Sequence, residues 1–462
     1  MNDPTGGGNP LEGLLGDLLK MIGTQAGATP WLDAAKALAH NVATDGAPEV
    51  NADPLQRIAL EELARVAELH VGEATGLPVG TDGQPATFVP VGRGAWALRC
   101  LEAWGPLIEK TVAAQRAGGT GPEPSAGGGS NSEESPDPTG SADAGQSPSG
   151  QLGGLGGLGG LEGLGGLGGL GGLGGLEGLG GLEGLGGLGG SDGLEALLGQ
   201  LANTMGPVLV GMQFGSAAGH LARHTLGQYA LPIPWPKSGE PRSGELLVVP
   251  ENVAQFAADW SLPPDETRLW VCIHELTAHA VLSRPHVAAR ITALLEEASA
   301  GAAAAQQGLA ERLGGEAGDM ESLQNLLADP ESLLADLLSP GQQRTSEQLI
   351  AVTTTLGAYV DHITASVAGT LVGSPAALAE EWYRYRVQDT TGEQAAGALF
   401  GLDLSRTQVD RGTAFVNGVV ERAGEPALAR LWSDERHLPT PAEVDAPGLW
   451  LERIDLPDTD GG

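Results

Sequence analysis

Apolar residues recur every three or four positions through most of the chain, which is the spacing of one face of an α-helix. The clearest run consists of Leu349, Val352, Leu356, Tyr359, Ile363 and Val367. In IALEELARVAELH the expected apolar stripe consists of Ala59, Leu63, Val66, Ala67 and His70. A further helix is predicted for GAWALRCLEAWGPLIEKTVAAQ, with Trp96 and Trp104 as its buried anchors. These patterns predict a mainly α fold.

Residues 246–249 (LLVV) interrupt the helical pattern and predict a short β-strand of a small sheet. The uncharged run 196–222 includes Gln200, Asn203 and several glycines, so we interpret it as a buried helix, bent near Pro207, and not as a membrane span. The segment DETRLWVCIHELTAHAVLS is predicted to be a helix that ends near Pro285.

A change of composition divides the chain. Residues 118–150 are rich in Gly, Ser, Pro, Asp and Glu, and residues 152–190 consist of thirteen L-G-G or L-E-G triplets. We favour a disordered, slightly sticky tether; the alternative is a leucine ridge that self-associates or docks on a partner. The expected organisation is an N-terminal helical region that packs on the core (1–117), the linker and repeat (118–192), the main domain (193–455) and a flexible tail (456–462).

Charge and cysteine content narrow the range of partners and compartments. The chain has 24 Lys and Arg against 58 Asp and Glu, a formal net charge of -34, so nucleic acid is not an expected partner. No basic segment precedes the apolar residues near the N-terminus, so a secretory signal is not expected. Only two cysteines occur, Cys100 and Cys272, which favours a cytoplasmic protein without disulfides.

The stretch VCIHELTAHAVL is close to the zinc-binding helix motif H-E-x-x-H. His274 and Glu275 match the motif, Ala278 stands where the second histidine belongs, and His279 follows one residue late. On a regular helix two residues five apart diverge by about 140°, so His274 and His279 converge on one ion only if a π-turn inserts a residue. The zinc-binding motif H-E-x-x-G-H of dipeptidyl-peptidase III resembles this stretch, but only over the hexapeptide.

A wider resemblance covers residues 1–117 and about 194–455. The stretches that carry it are GPVLVGMQFGSAAGHLARHTLGQY, ENVAQFAADWSLPPDETRLWVCIHELTAHAVLSRPHV, AYVDHIT and GLDLSRTQVDRGTAFVNGVV. These stretches resemble the zincin-like metallopeptidases of actinobacteria, which typically have H-E-L-T-H-H in the motif and E-G-Y/W-V-D in a later helix. The resemblance implies a zincin-like fold that is mainly α with a small β-sheet.

The resemblance also implies a role for each site position. His274 matches the first zinc ligand, Glu275 the general base, and Asp361 an aspartate that orients His274 from behind the ligands. Ala278 replaces the second ligand and Gly357 replaces the third, a glutamate. We therefore expect zinc to be absent or weakly bound. The predicted function is that of a pseudo-peptidase, which binds a peptide or protein partner by strand addition.

Alternatives remain at the level of sequence. One alternative function is that of an active zinc peptidase that uses His274, His279 and an unidentified carboxylate. The pair Glu275 and His279, four apart, can also face one ion, although an ion pair is the expected role. His220 and His224 share a helix face, and we interpret both as structural or surface residues. His286 is expected in a loop or helix cap.

Overall fold

The computed structural model describes residues 30–49, 54–80, 85–119, 191–235, 244–315, 339–388 and 391–456. Within these ranges the N-terminal helices are α1 (Pro30–Thr44), α2 (Pro54–Thr75) and α3 (Arg93–Gly119). The central helices are α4 (Ser191–His224), α5 (Pro250–Asp259), α6 (Pro264–Leu282) and α7 (Pro285–Gly315). The C-terminal helices are α8 (Pro340–Leu371), α9 (Pro375–Val387), α10 (Thr391–Leu399), α11 (Arg406–Ala423), α12 (Pro441–Asp445) and α13 (Pro447–Asp455), with 3₁₀ turns at Glu425–Trp432 and Glu435–His437.

The two strands form a parallel pair, β1 (Thr87–Pro90) and β2 (Glu245–Val248), with Phe88 opposite Leu246. The predicted strand at 246–249 is therefore present, one residue earlier than expected, whereas β1 was not predicted. On its other side β2 forms a single antiparallel bridge from Val248 to Gly227. The mainly α fold with a small sheet is confirmed.

Helix α4 packs closely against α1 because glycines occur at every fourth position of their interface. A Cβ atom added at Gly215 would lie 2.5 Å from the carbonyl oxygen of Ala35, and Gly211 and Gly219 meet the α1 backbone in the same way. The facing residues of α1 are Trp31, Ala35 and Ala39, all buried. Small side chains on both helices therefore let the two backbones approach each other.

The buried face of α2 differs from the predicted stripe. Leu60, Ala64, Ala67 and Val71 form it, whereas Val66 is 43% exposed. The prediction was wrong by a small rotation about the helix axis, because Val66 and His70 were assigned to the core while Leu60 was left out. The correctly rotated face packs against α6, the helix of the H-E motif.

The linker and the Leu-Gly-Gly repeat lie outside the described residues, except that α3 continues to Gly119 and α4 begins at Ser191. The predicted tail also lies outside them, apart from Leu456. Across the described part of the chain, no helix combines the length and the apolar character that spanning a bilayer requires.

Candidate functional site

Helix α6 places the motif residues inside the molecule. Pro263 and Pro264 stand at its start, followed by Asp265 and Glu266 in the first turn, and the helix ends at Leu282, as predicted from Pro285. His274, Glu275 and Ala278 are between 2% and 8% exposed. A buried imidazole and a buried carboxylate side by side require specific partners, because burial without hydrogen bonds is costly.

Both oxygens of the Glu275 carboxylate have a partner. Oε1 lies 3.3 Å from Nδ1 of His274, and Oε2 accepts a hydrogen bond of 2.9 Å from the backbone N–H of Tyr229. A Cβ atom at Gly227 would lie 2.3 Å from Cδ of Glu275, so only glycine lets the chain cross the carboxylate here. The candidate general base is therefore enclosed by residues 226–229, a segment that sequence reasoning did not associate with the site.

His279 is committed to a different contact. Its Nδ1 lies 2.9 Å from the hydroxyl of Tyr229. The segment Pro264–Leu282 is α-helical throughout, so the π-turn that would rotate His279 toward His274 is not formed. Tyr229 thus joins Glu275, through its backbone, to His279, through its side chain, and the suspected pairing of Glu275 with His279 is indirect.

Asp361 reaches His274 through an intermediary. Its Oδ1 accepts a hydrogen bond of 2.9 Å from the indole N–H of Trp382, and the Trp382 ring packs on the His274 imidazole with 4.7 Å between ring centroids. Asp361 Oδ2 accepts from Nη1 of Arg386. Asp361, predicted to orient His274, thus reaches the His274 ring through Trp382.

Arg386 lies beside the predicted third-ligand position. A Cβ atom at Gly357 would lie 3.1 Å from Nη2 of Arg386. Sequence reasoning missed Arg386 and Trp382, although one signal was present: the two residues are four apart on α9 and therefore share a helix face.

Several of these groups line one cavity of about 130 Å³, which we call the motif cavity. Its walls include His274, Glu275 and Ala278 from α6, Gly357 from α8, and Trp382 and Arg386 from α9. The side chains of Gln388, Gln394 and Gln408 line it as well. The cleft therefore combines a largely apolar wall with one guanidinium and several amide groups.

Burial shapes the acid–base behaviour of two groups that line the cavity, Tyr229 and His224. Burial and the nearby charge of Glu275 raise the pKa of Tyr229 well above its usual value. The phenol therefore stays protonated and able to donate at neutral pH. Partial burial and the charges of Arg223 and Arg93 lower the pKa of His224, which also lines the cavity.

His220, His224 and His286 take no part in the contacts of His274 and Glu275 described above. His220 is half-buried and His224 is exposed at the end of α4, where it borders the motif cavity. His286 lies in the first turn of α7, with its Nε2 3.0 Å from the carbonyl oxygen of Trp432. Among the residues that the structure describes, no group of three or more His, Cys, Asp or Glu side chains is arranged to hold a metal ion.

A largely helical body with a small sheet, next to a buried helix that carries His-Glu, defines a zincin-like protein. The chain belongs to the zincin-like metallopeptidase family, whose model matches residues 31–161 and 188–451. The resemblance that the sequence indicated is thereby confirmed at the level of the family.

One solved structure shares the fold. A protein from Chloroflexus aurantiacus, described as a candidate hydrolase with a novel fold, matches with a TM-score of 0.54 and 19% sequence identity. The match covers 92% of this chain and 99% of that protein. No curated protein matches the chain significantly.

Proposed function

We propose that this chain is a member of the zincin-like family without zinc-dependent peptidase activity, and that it binds a peptide or protein partner in the motif cavity. In this proposal Ala278 and Gly357 are lost ligand positions. The residues present do not fit a zinc ion: one imidazole, His274, occupies a ligand position, and its neighbour His279 is engaged with Tyr229.

The position of Arg386 is the observation that supports this most directly. Its guanidinium lies where a side chain from position 357 would enter the cavity. A guanidinium is permanently charged and has no lone pair to offer a metal, so it repels a divalent cation at the same place. Protein zinc sites instead collect imidazoles, thiolates and carboxylates.

The geometry also argues against an active zinc site that uses His279 as a ligand. In such a site His279 would lose its contact with Tyr229. One turn of helix α6, which is regular, would also have to take up an extra residue. A buried phenol left without its partner would add a cost of about 1–3 kcal/mol.

Zinc titration against a competing chelator tests the first half of the proposal. The unmodified protein is expected to hold well under one zinc per chain. The variant Ala278→His/Gly357→Glu is expected to bind weakly, because the new glutamate meets Arg386 first. Adding Arg386→Leu is expected to raise zinc affinity roughly 10–100-fold, the effect typical of groups that surround metal ligands.

Arg384→Leu in place of Arg386→Leu is the matched control, because Arg384 is exposed on the same helix and pairs with Glu380 and Glu381. It should leave the affinity of the double variant unchanged. A stoichiometric, chelator-sensitive zinc in the unmodified protein would contradict the proposal outright.

A further inference from the structure

We infer that Arg386 receives a carboxylate of the bound peptide, supplied by an acidic side chain or by a free C-terminus. This inference rests on the proposed function and names the chemical group that the motif cavity selects. In this inference the side chain of Arg386 contacts a negatively charged oxygen of the bound peptide.

The hydrogen-bond donors of the cavity support this assignment. A guanidinium carries five N–H donors, and its fork matches the two oxygens of a carboxylate. The hydrogen bond to Asp361 uses Nη1. Among the described residues, Nη2 has no hydrogen-bond acceptor, and it faces the side of the cavity next to Gly357.

The carboxylates around the cavity, in contrast, already have hydrogen-bond partners. Glu275 binds His274 and the Tyr229 N–H, and Asp361 binds Trp382 and Arg386. Asp403 accepts from the backbone N–H of Ser405 at 2.9 Å. Nη2 of Arg386 therefore favours a ligand group that accepts hydrogen bonds.

The motif cavity has space for a ligand next to Gly357 and Arg386. Gly357 contributes no side chain, and the cavity of about 130 Å³ exceeds the volume that a single water-sized group requires. The side-chain N–H groups of Gln388 and Gln408 can donate to the backbone of a peptide that leads to the carboxylate.

Charge sets a limit on the strength of the contact. Asp361 offsets the charge of Arg386, and Glu275 and Asp403 repel a free anion from the same cavity. Attraction at hydrogen-bond distance outweighs repulsion from charges further away, because the Coulomb energy falls with distance and is screened by water and salt. We therefore expect a preference for carboxylate-bearing peptides over neutral peptides, not tight binding of small anions.

The test uses three random heptapeptide libraries passed over the immobilised full chain. The first has neutral residues and a free C-terminus, the second has the same residues and a C-terminal amide, and the third is amidated but contains Asp and Glu. Retained peptides are quantified by mass spectrometry. The unmodified protein should retain the first or the third library at least about fivefold over the second, and the library that is enriched identifies the source of the carboxylate.

Arg386→Gln should reduce that ratio to about one, whereas Arg384→Gln, on the same helix and outside the cavity, should leave it unchanged. Should Arg386→Gln fold poorly, Gly357→Glu supplies a second test, since its carboxylate occupies Arg386 from within the chain. It should remove the preference and raise the melting temperature above that of Gly357→Gln.

The outcomes separate the two proposals. Retention of neutral amidated peptides with no preference for carboxylates would overturn the role of Arg386 while leaving peptide binding intact. A preference that survives in both Arg386→Gln and Gly357→Glu would overturn it as well. Absence of retention for all libraries would overturn both proposals.

Discussion

Single residues of α6 show how burial controls chemistry in this protein. Cys272 lies two positions before His274 and is fully buried, as is Cys100 on α3. Burial raises the pKa of both thiols, and the charge of Glu275 adds to the shift at Cys272. Both cysteines are free, as expected from their number and spacing. Neither thiol is therefore a nucleophile at neutral pH, because the thiolate is the reactive form.

The raised thiol pKa predicts a loss of stability in alkali. Below about pH 8.5 the thiol is protonated in both folded and unfolded chains, so its contribution to the free energy of unfolding is constant. Above that pH the unfolded thiol ionises and the folded one does not, so unfolding becomes easier by up to about 1.4 kcal/mol per pH unit for each thiol. Cys272→Ala should therefore flatten the decline in unfolding free energy between about pH 9 and 10.5.

Denaturant unfolding at a series of pH values measures this slope. Cys100→Ala should flatten it by a similar amount, and the double variant by the sum of the two. Parallel curves for all four proteins would mean that solvent reaches the thiols in the folded state.

The sequence was sufficient to locate some site residues and not others. His274 and Glu275 were identified because adjacent residues on one helix keep a recognisable spacing. Arg386 lies 29 positions after Gly357, and nothing local in the sequence places its side chain against that glycine. The role of Tyr229 was hidden for a different reason, because its contact with Glu275 uses a backbone N–H, which every residue except proline carries.

Whole elements were predictable where their pattern is local. Helix α8 follows its apolar spacing, and a capping box formed by Ser339 and Gln342 marks its start. Strand β1 was missed because four residues carry little pattern and its partner, β2, lies beyond the repeat. The strand pairing depends on tertiary contacts that local spacing does not encode.

The interface of α1 with α4 predicts a strong response to one methyl group. Gly215→Ala places a Cβ atom 2.5 Å from a backbone oxygen and 3.0 Å from Cα of Ala35, and neither atom can move alone. We expect a loss of about 1–3 kcal/mol in unfolding free energy, despite the better helix propensity of alanine.

The control is Gly369→Ala in the last turns of α8, where an added Cβ atom meets nothing within 4 Å. That change should raise the unfolding free energy by about 0.5–1 kcal/mol. Equal effects of the two substitutions in thermal or denaturant unfolding would show that α1 and α4 do not pack closely in solution.

The molecule as a whole is assembled from both sides of the repeat. Strand β1 and helix α1 precede it, while their partners β2 and α4 follow it. The family model matches up to residue 161 and resumes at 188, so most of the Leu-Gly-Gly triplets lie between the matched segments. This placement favours the interpretation of the repeat as an insertion into a body that folds without it.

Replacing residues 120–190 tests that interpretation. A Gly/Ser segment of equal length should change the melting temperature by no more than about 2 °C, because Gly-rich sequence contributes little core. A segment of about 20 residues should add roughly 1 kcal/mol of stability, since a shorter loop loses less entropy on closure. A drop of several degrees for the equal-length replacement would indicate that the leucines pack on the body.

Arg386 also determines how the positive charge of the motif cavity responds to conditions outside the protein. A bound metal is present only as far as its supply, its competitors and the protonation of its ligands allow. The guanidinium is part of the chain, held by Asp361, and keeps its charge at every physiological pH. Every folded copy of the chain therefore carries this positive charge in its cavity. Starvation for zinc, chelation or mild acid, which empty a metal centre, leave this charge in place.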